Sequence, residues 1–227
     1  MNHYQLAPSA NGPRYQLVLF DLDGTLSESG EGILGCVRQV FAEMGRPLPD
    51  EKTLGTFIGP PMYDSLRRCG FSHEEAEHGV VLYKQHFIEE GIYHNKTYDG
   101  IWQVLQTLHE AGVKLAVATT KYYPFAEKII HMLNIDGYFD FIGGATSGVE
   151  RRTKAKVIRY VLEQFPDIPA ERVVMIGDTK YDAEGAAQVG IDFIGCLYGY
   201  GTKEEMTAFC PSAPYVDKPA DLTALCL

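Results

Sequence analysis

A chain of 227 residues with a formal net charge of -10, 45% hydrophobic and 22% charged residues has the make-up of a globular protein that can bury a sizeable core. The acidic balance argues against broad electrostatic attraction to nucleic acid or to an anionic membrane, and leaves a soluble small molecule as the expected partner. The cysteines Cys36, Cys69, Cys196, Cys210 and Cys226 lie far apart without the paired spacing of a zinc site, which fits a reducing, cytoplasmic setting.

Residues 1–14 contain Pro8, Gly12 and Pro13 and read as a flexible N-terminal tail, with neither a basic segment followed by an apolar stretch nor a spanning helix. Short apolar runs follow at 17–20, 115–118, 139–142, 173–176 and 193–197, each of strand length. Helical periodicity lies between the later runs: Ile101, Val104, Leu105 and Leu108; Phe125, Ile129, Ile130 and Leu133; Val157, Ile158, Val161 and Leu162. This alternation predicts an α/β fold, a doubly wound parallel-sheet core whose ligand site lies at the carboxyl ends of the strands. Asp21, Thr119 and Asp178 follow three of those ends.

From about 28 to 98 the alternation breaks and the patterns are helical only. Ile33, Val37, Val40, Phe41 and Met44 share one helical face, and Ser72 with Glu75 spells a capping box before Val80, Phe87 and Ile88. The sequence therefore predicts an all-helical cap domain, 28–98, inserted into a core made of 15–27 and 99–227. Its connections are polar and glycine-containing, as hinges often are, so it is expected to move as a lid.

Asp21-Leu22-Asp23-Gly24-Thr25-Leu26 sends two carboxylates out of the first strand together. Acidic residues at a strand end commonly serve turns or cap a following helix. A calcium loop starting at Asp21 would need glycine and glutamate where Leu26 and Gly32 stand, so that reading fails.

The segment resembles the first motif, Asp-x-Asp-x-Thr, of the haloacid dehalogenase-like superfamily of hydrolases. The resemblance implies Asp21 as a nucleophile toward phosphorus and Asp23 as the group that protonates the leaving oxygen and then activates water. Val117-Ala118-Thr119-Thr120-Lys121 resembles the second motif, with Thr119 as the phosphoryl-binding hydroxyl and Thr120 as the alternative. Arg151-Arg152-Thr153-Lys154 resembles the third, with Lys154 balancing charge and Lys156 nearby. Gly177-Asp178-Thr179-Lys180-Tyr181-Asp182 resembles the fourth, with Asp178 as a metal ligand and Asp182 either supporting the site or serving as a helix N-cap.

The implied cofactor is Mg2+, held by a carboxylate oxygen of Asp21, the backbone carbonyl of Asp23 and Asp178. Residues 195–201 with Glu204-Glu205, and Phe57-Ile58-Gly59-Pro60-Pro61, resemble the phosphoglycolate phosphatase-like branch, whereas 146–150 lacks the acidic stretch of near relatives. The function implied is magnesium-dependent hydrolysis of small phosphate monoesters through an aspartyl-phosphate, by a monomer or homodimer acting on a phosphorylated metabolite. Alternatives are a 5'-nucleotidase or other sugar-phosphate phosphatase, or a phosphomutase on the same core. A receiver-type signalling module would need neither the insertion nor Asp23, and a dehalogenase would not call for the Asp23 and metal pair. Tyr63, Arg67, Arg68 and His94 are candidate substrate-reading residues of the cap.

Overall fold

The computed structural model describes residues 12–147 and 150–227. Along the chain these form β1 (Leu17–Phe20), β2 (Ser27–Glu28), α1 (Gly30–Glu43), α2 (Glu51–Gly55), α3 (Met62–Arg68), α4 (His73–Glu89), β3 (Lys96–Thr97) and α5 (Ile101–Glu110). They continue with β4 (Lys114–Tyr122), α6 (Tyr123–Met132), β5 (Phe141–Ala145), α7 (Lys154–Leu162), β6 (Val173–Gly177) and α8 (Lys180–Val189). The last elements are β7 (Asp192–Cys196), α9 (Lys203–Thr207), β8 (Tyr215–Val216) and α10 (Leu222–Cys226).

Six strands pair in the order β5-β4-β1-β6-β7-β8, all in parallel. Strands buried on both faces lack polar alternation, and β1 reads Leu-Val-Leu-Phe for that reason. Its side chains divide by parity: Val18 and Phe20 join one apolar cluster with α5 and α6, while Leu17 and Leu19 join another with α7 and α8. The sheet is thus covered on both sides by helices, as the alternation predicts.

A third apolar cluster belongs to the helices between β2 and β3. Phe41 meets Phe57 and Phe71 edge-on, with Val37, Val40, Leu54, Leu66 and Ala76 around them. Ser72 and Glu75 close the reciprocal capping box at the start of α4. Helix α1 serves two cores, because Ile33 and Cys36 pack with the sheet's cluster while Val37, Val40 and Phe41 pack with the helical one. The single apolar face expected for Ile33 through Met44 is therefore divided, and Ile88 of α4 is exposed.

Differences from the sequence reading have local causes. The run at 139–142 gives β5 two residues later, because Asp136–Tyr138 forms a 3-10 turn and Gly143-Gly144 continue the strand. At Gly143 a Cβ would run into Val161, so these glycines are close-packing residues. The insertion's mouth holds an antiparallel ribbon, Ser27 opposite Thr97 and Glu28 opposite Lys96, that is too short to leave an apolar period. Of the expected tail, 1–11 lie outside the described residues. Pro13 accepts from Arg172, and the Arg14 N–H donates to the carbonyl of Leu227.

Candidate active site

Register brings the polar strand ends together. Phe20 lies opposite Val117 of β4 and Ile176 of β6, so Asp21, Thr119 and Asp178 follow at one edge of the sheet. The Asp21 N–H donates to the Ile176 carbonyl at 2.9 Å. Beyond it the chain turns on Leu22, whose carbonyl accepts from Leu26 and Ser27, while the buried side chains of Leu22 and Leu26 anchor the turn. Gly24 has φ +86°, and a Cβ there would collide with the Asp178 carboxylate and Tyr200.

Lys154 is the first residue of α7 and is almost wholly buried. Its Nζ lies 2.8 Å from Asp21 and 2.6 Å from Asp182, and donates to the Ala118 carbonyl at 3.0 Å. The neighbouring Lys156 is exposed, whereas Lys154 is buried against Asp21. Asp182 sits in the first turn of α8, behind the N-cap Thr179, and accepts from the Thr179 N–H at 3.0 Å and its hydroxyl at 2.8 Å. It is thus no N-cap itself; it braces Lys154 from behind.

Asp178 is fully buried, accepting from the Thr25 hydroxyl at 2.9 Å and the Tyr200 N–H at 2.8 Å. Carboxylate oxygens of Asp21, Asp178 and Asp182 all lie within 4.8 Å of one another. Three buried acids against one lysine leave excess negative charge. Burial is the main cause that raises the Asp21 pKa from 3.8 to about 6; Asp182 and Asp23 add to it, and Lys154 opposes it. Burial, then Asp182 and Asp21, likewise hold Asp178 well above the usual carboxylate range. Burial works against the Lys154 charge, but Asp182 and Asp21 outweigh it and raise its pKa.

A hard divalent cation suits this donor set, since charge of that sign is what three crowded acids lack. Glycine at 24, 199 and 201 leaves room around Asp178 that a Cβ at any of them would invade. Asp182 faces the Lys154 cation through one oxygen and Thr179 through the other, whereas Asp178 meets only the neutral donors of Thr25 and Tyr200, and Asp21 meets Lys154 through Oδ1.

Thr119 is buried and its Oγ1 accepts the Lys121 N–H at 3.2 Å, so its own proton remains to be given. Thr120 turns the other way and donates to the Gly59 carbonyl at 2.8 Å. Thr119 is therefore the hydroxyl kept in the core. Lys121 carries a role that the sequence reading did not assign. Its Nζ contacts both oxygens of Asp23, at 2.9 and 2.8 Å, under the ring of Phe87 at 4.4 Å. Its place two residues after the motif threonine was the available signal.

Beside Asp23 a cavity of about 450 Å³ opens between the helices and the sheet. Tyr63 lines it, whereas Arg67 donates to the Phe71 carbonyl, Arg68 to the Thr56 carbonyl, and His94 faces Glu31 at 3.6 Å, all away from that cavity. Arg152, from the segment before α7, donates to Asp64 of α3 at 2.6 Å and covers the Tyr63 ring. Among the described residues no helix is long and apolar enough to cross a membrane.

Known proteins are similar to this chain in sequence and in fold. Residues 18–196 match the family model of haloacid dehalogenase-like hydrolases. The chain is 37% identical to a 5'-nucleotidase of Pseudomonas aeruginosa, over 93% of this chain and 94% of that one. It is 40% identical to the tyrosine-protein kinase PtkA of Mycobacterium tuberculosis over 85% of this chain, but spans 66% of that protein's length. Among solved structures, a predicted phosphatase from Clostridium acetobutylicum superposes with a TM-score of 0.85 at 36% identity, covering 93% of this chain and 97% of that one. A phosphoglycolate phosphatase of Aquifex aeolicus is 32% identical over 82% of this chain and 86% of its own. With the family model matched over most of its length, the chain belongs to the haloacid dehalogenase-like hydrolases.

Proposed function

We propose that this protein hydrolyses small phosphate monoesters, with Asp21 as nucleophile and Mg2+ as cofactor, in a reducing, cytoplasmic compartment that suits its five free thiols. The observation that carries the reading is the buried Lys154 bridge. It holds a positive charge 2.8 Å from Asp21, whose carboxylate lies within 4.8 Å of those of Asp178 and Asp182. Relatives named as a nucleotidase, a phosphoglycolate phosphatase and a kinase all have phosphoryl groups in common.

In the reaction proposed, an Asp21 oxygen bonds to phosphorus while the ester's P–O bond breaks, and the leaving oxygen takes a proton from Asp23. Water then attacks the same phosphorus and gives a proton to Asp23, releasing inorganic phosphate and restoring Asp21. The Thr119 hydroxyl donates to a phosphoryl oxygen and Lys154 offsets the charge gathered there. Lys121, gripping both oxygens of Asp23, fixes that carboxyl's place. Mg2+, held by Asp21, Asp178 and the Asp23 carbonyl, would supply the positive charge that lets a dianion approach a carboxylate. The helices between β2 and β3 act as the lid, with the short ribbon as its hinge.

Asp21→Asn keeps the shape and removes the nucleophile, so phosphate release should vanish with the circular dichroism spectrum unchanged. Asp23→Asn should lower kcat by about 10²–10⁴-fold. Retained turnover in the Asp21 variant, or full activity of the native protein in excess chelator, would refute the mechanism.

A further inference from the structure

If Asp23 protonates the leaving oxygen, the leaving group extends into the cavity beside it, and the walls of that cavity decide which alcohols fit. This step rests on the phosphatase reading above. At about 450 Å³ the space lies within the range of cavities that enclose a whole small ligand, far more than a leaving group as short as glycolate occupies. Rings supply much of the wall: Phe57, Tyr63 and Tyr83 from the helices, Tyr122 and Phe125 from the sheet side.

The basic side chains on that wall are His73, Lys84, Lys121 and Arg152, and each already has partners. Arg152 is held by Asp64 at 2.6 Å, and Lys121 by both oxygens of Asp23. His73 meets the Tyr63 hydroxyl at 2.6 Å through Nδ1 and Glu77 at 3.5 Å through Nε2. Lys84 lies 4.1 Å over the Tyr122 ring and donates to Ser147 at 3.2 Å. A carboxylate entering this space would meet Asp23 and Glu77 and would gain a cation only by breaking one of these contacts. A neutral flat ring breaks none and exchanges water for aromatic faces.

The geometry points to substrates whose leaving group carries a neutral aromatic ring, in preference to alcohols that carry a carboxylate. A nucleoside and a phenol share that chemistry, and the two are separated by direct assay. The experiment measures kcat/KM of the full chain with Mg2+ on nucleoside 5'-monophosphates, ribose 5-phosphate, phenyl phosphate, O-phosphotyrosine, 2-phosphoglycolate and acetyl phosphate. Ribose 5-phosphate is the informative control, because it presents the same kind of leaving oxygen without the base.

The expected result is at least about a 10-fold advantage of a ring-bearing ester over its ringless counterpart, carried in KM. Turnover confined to nucleotides or to phenolic esters identifies the source, and either supports the inference. Val80→Trp, which puts an indole into the cavity from α4, should lower kcat/KM for ring-bearing esters more than about 10-fold relative to acetyl phosphate. Met62→Trp repeats the test from α3 should the first variant fold poorly. A wild-type preference for 2-phosphoglycolate, equal turnover of ribose 5-phosphate and nucleotides, or an equal loss on every ester in the folded variants overturns the inference while leaving the phosphatase reading intact. No turnover of any ester, acetyl phosphate included, overturns both.

Discussion

Asp21 illustrates how a single residue can be destabilising by design. Its folded-state pKa of about 6 lies above the 3.8 of a free carboxyl, so the fold favours the protonated form. The sign follows: this contribution to stability is complete below pH 3.8 and is lost as pH rises through about 6. Asp178, shifted in the same direction, acts with the same sign. A divalent cation binds the ionised carboxylates and so competes with protons. Magnesium should therefore raise Tm little at about pH 5 and by a growing increment above about pH 6, and Asp178→Asn should shrink that increment. An increment flat with pH, or untouched in the variant, would count against the cation site. Most of these residues were legible because each follows an apolar run or opens a helix, as Asp21, Thr119, Lys154 and Asp178 do. Lys121 was legible only as a lysine two residues after Thr119, since its partner Asp23 lies 98 positions away and no local pattern announces that pair.

At the scale of elements, the start of α1 has an unusual cap. Ser29 forms no side-chain cap; instead the Ser29 and Gly30 N–H groups donate to the Tyr200 hydroxyl at 2.9 and 2.7 Å. The backbone N–H of the same tyrosine donates to Asp178. One residue of the loop after β7 thus ties the start of α1 to the acid cluster. Tyr200→Phe strands two donors at a helix start, which costs about 1 kcal/mol and should lower Tm by about 2–4 °C for a chain of this size. Magnesium affinity, which depends on the retained N–H, should change less; an unchanged Tm would show that water replaces the hydroxyl. Sequence reasoning placed the long elements because their apolar period is long enough to count. The ribbon and β8 have two residues each, and so no period to read. The division of α1 between two cores needs knowledge of where the sheet lies, which one helical period does not contain.

Across the whole molecule, the helices between β2 and β3 meet the sheet side through apolar contacts, Phe87 against Phe125 and Ile33 in the sheet's cluster, and through polar ones around the cavity. Arg152 to Asp64, Lys84 to Ser147 and Thr120 to Gly59 are among the polar side-chain links there. The Arg152–Asp64 pair is partly exposed, so it is worth only about 0–1 kcal/mol and is screened by salt. Asp64→Asn should leave Tm nearly unchanged while speeding amide exchange in the segment before α3, and about 1 M salt should mimic it in the native protein. Equal exchange in both proteins would mean that apolar contacts alone close the mouth.

The central position of β1 carries a consequence for synthesis on the ribosome. Leu17–Phe20 emerges well before its neighbours on either side, β4 and β6, which start at Lys114 and Val173. The helices between β2 and β3 have their own apolar cluster and are complete long before either neighbour appears. Vectorial folding therefore begins with the insertion, while four apolar residues wait unpaired upstream. The rate of reaching the native state is set by the late, long-range closure of the sheet around its earliest strand.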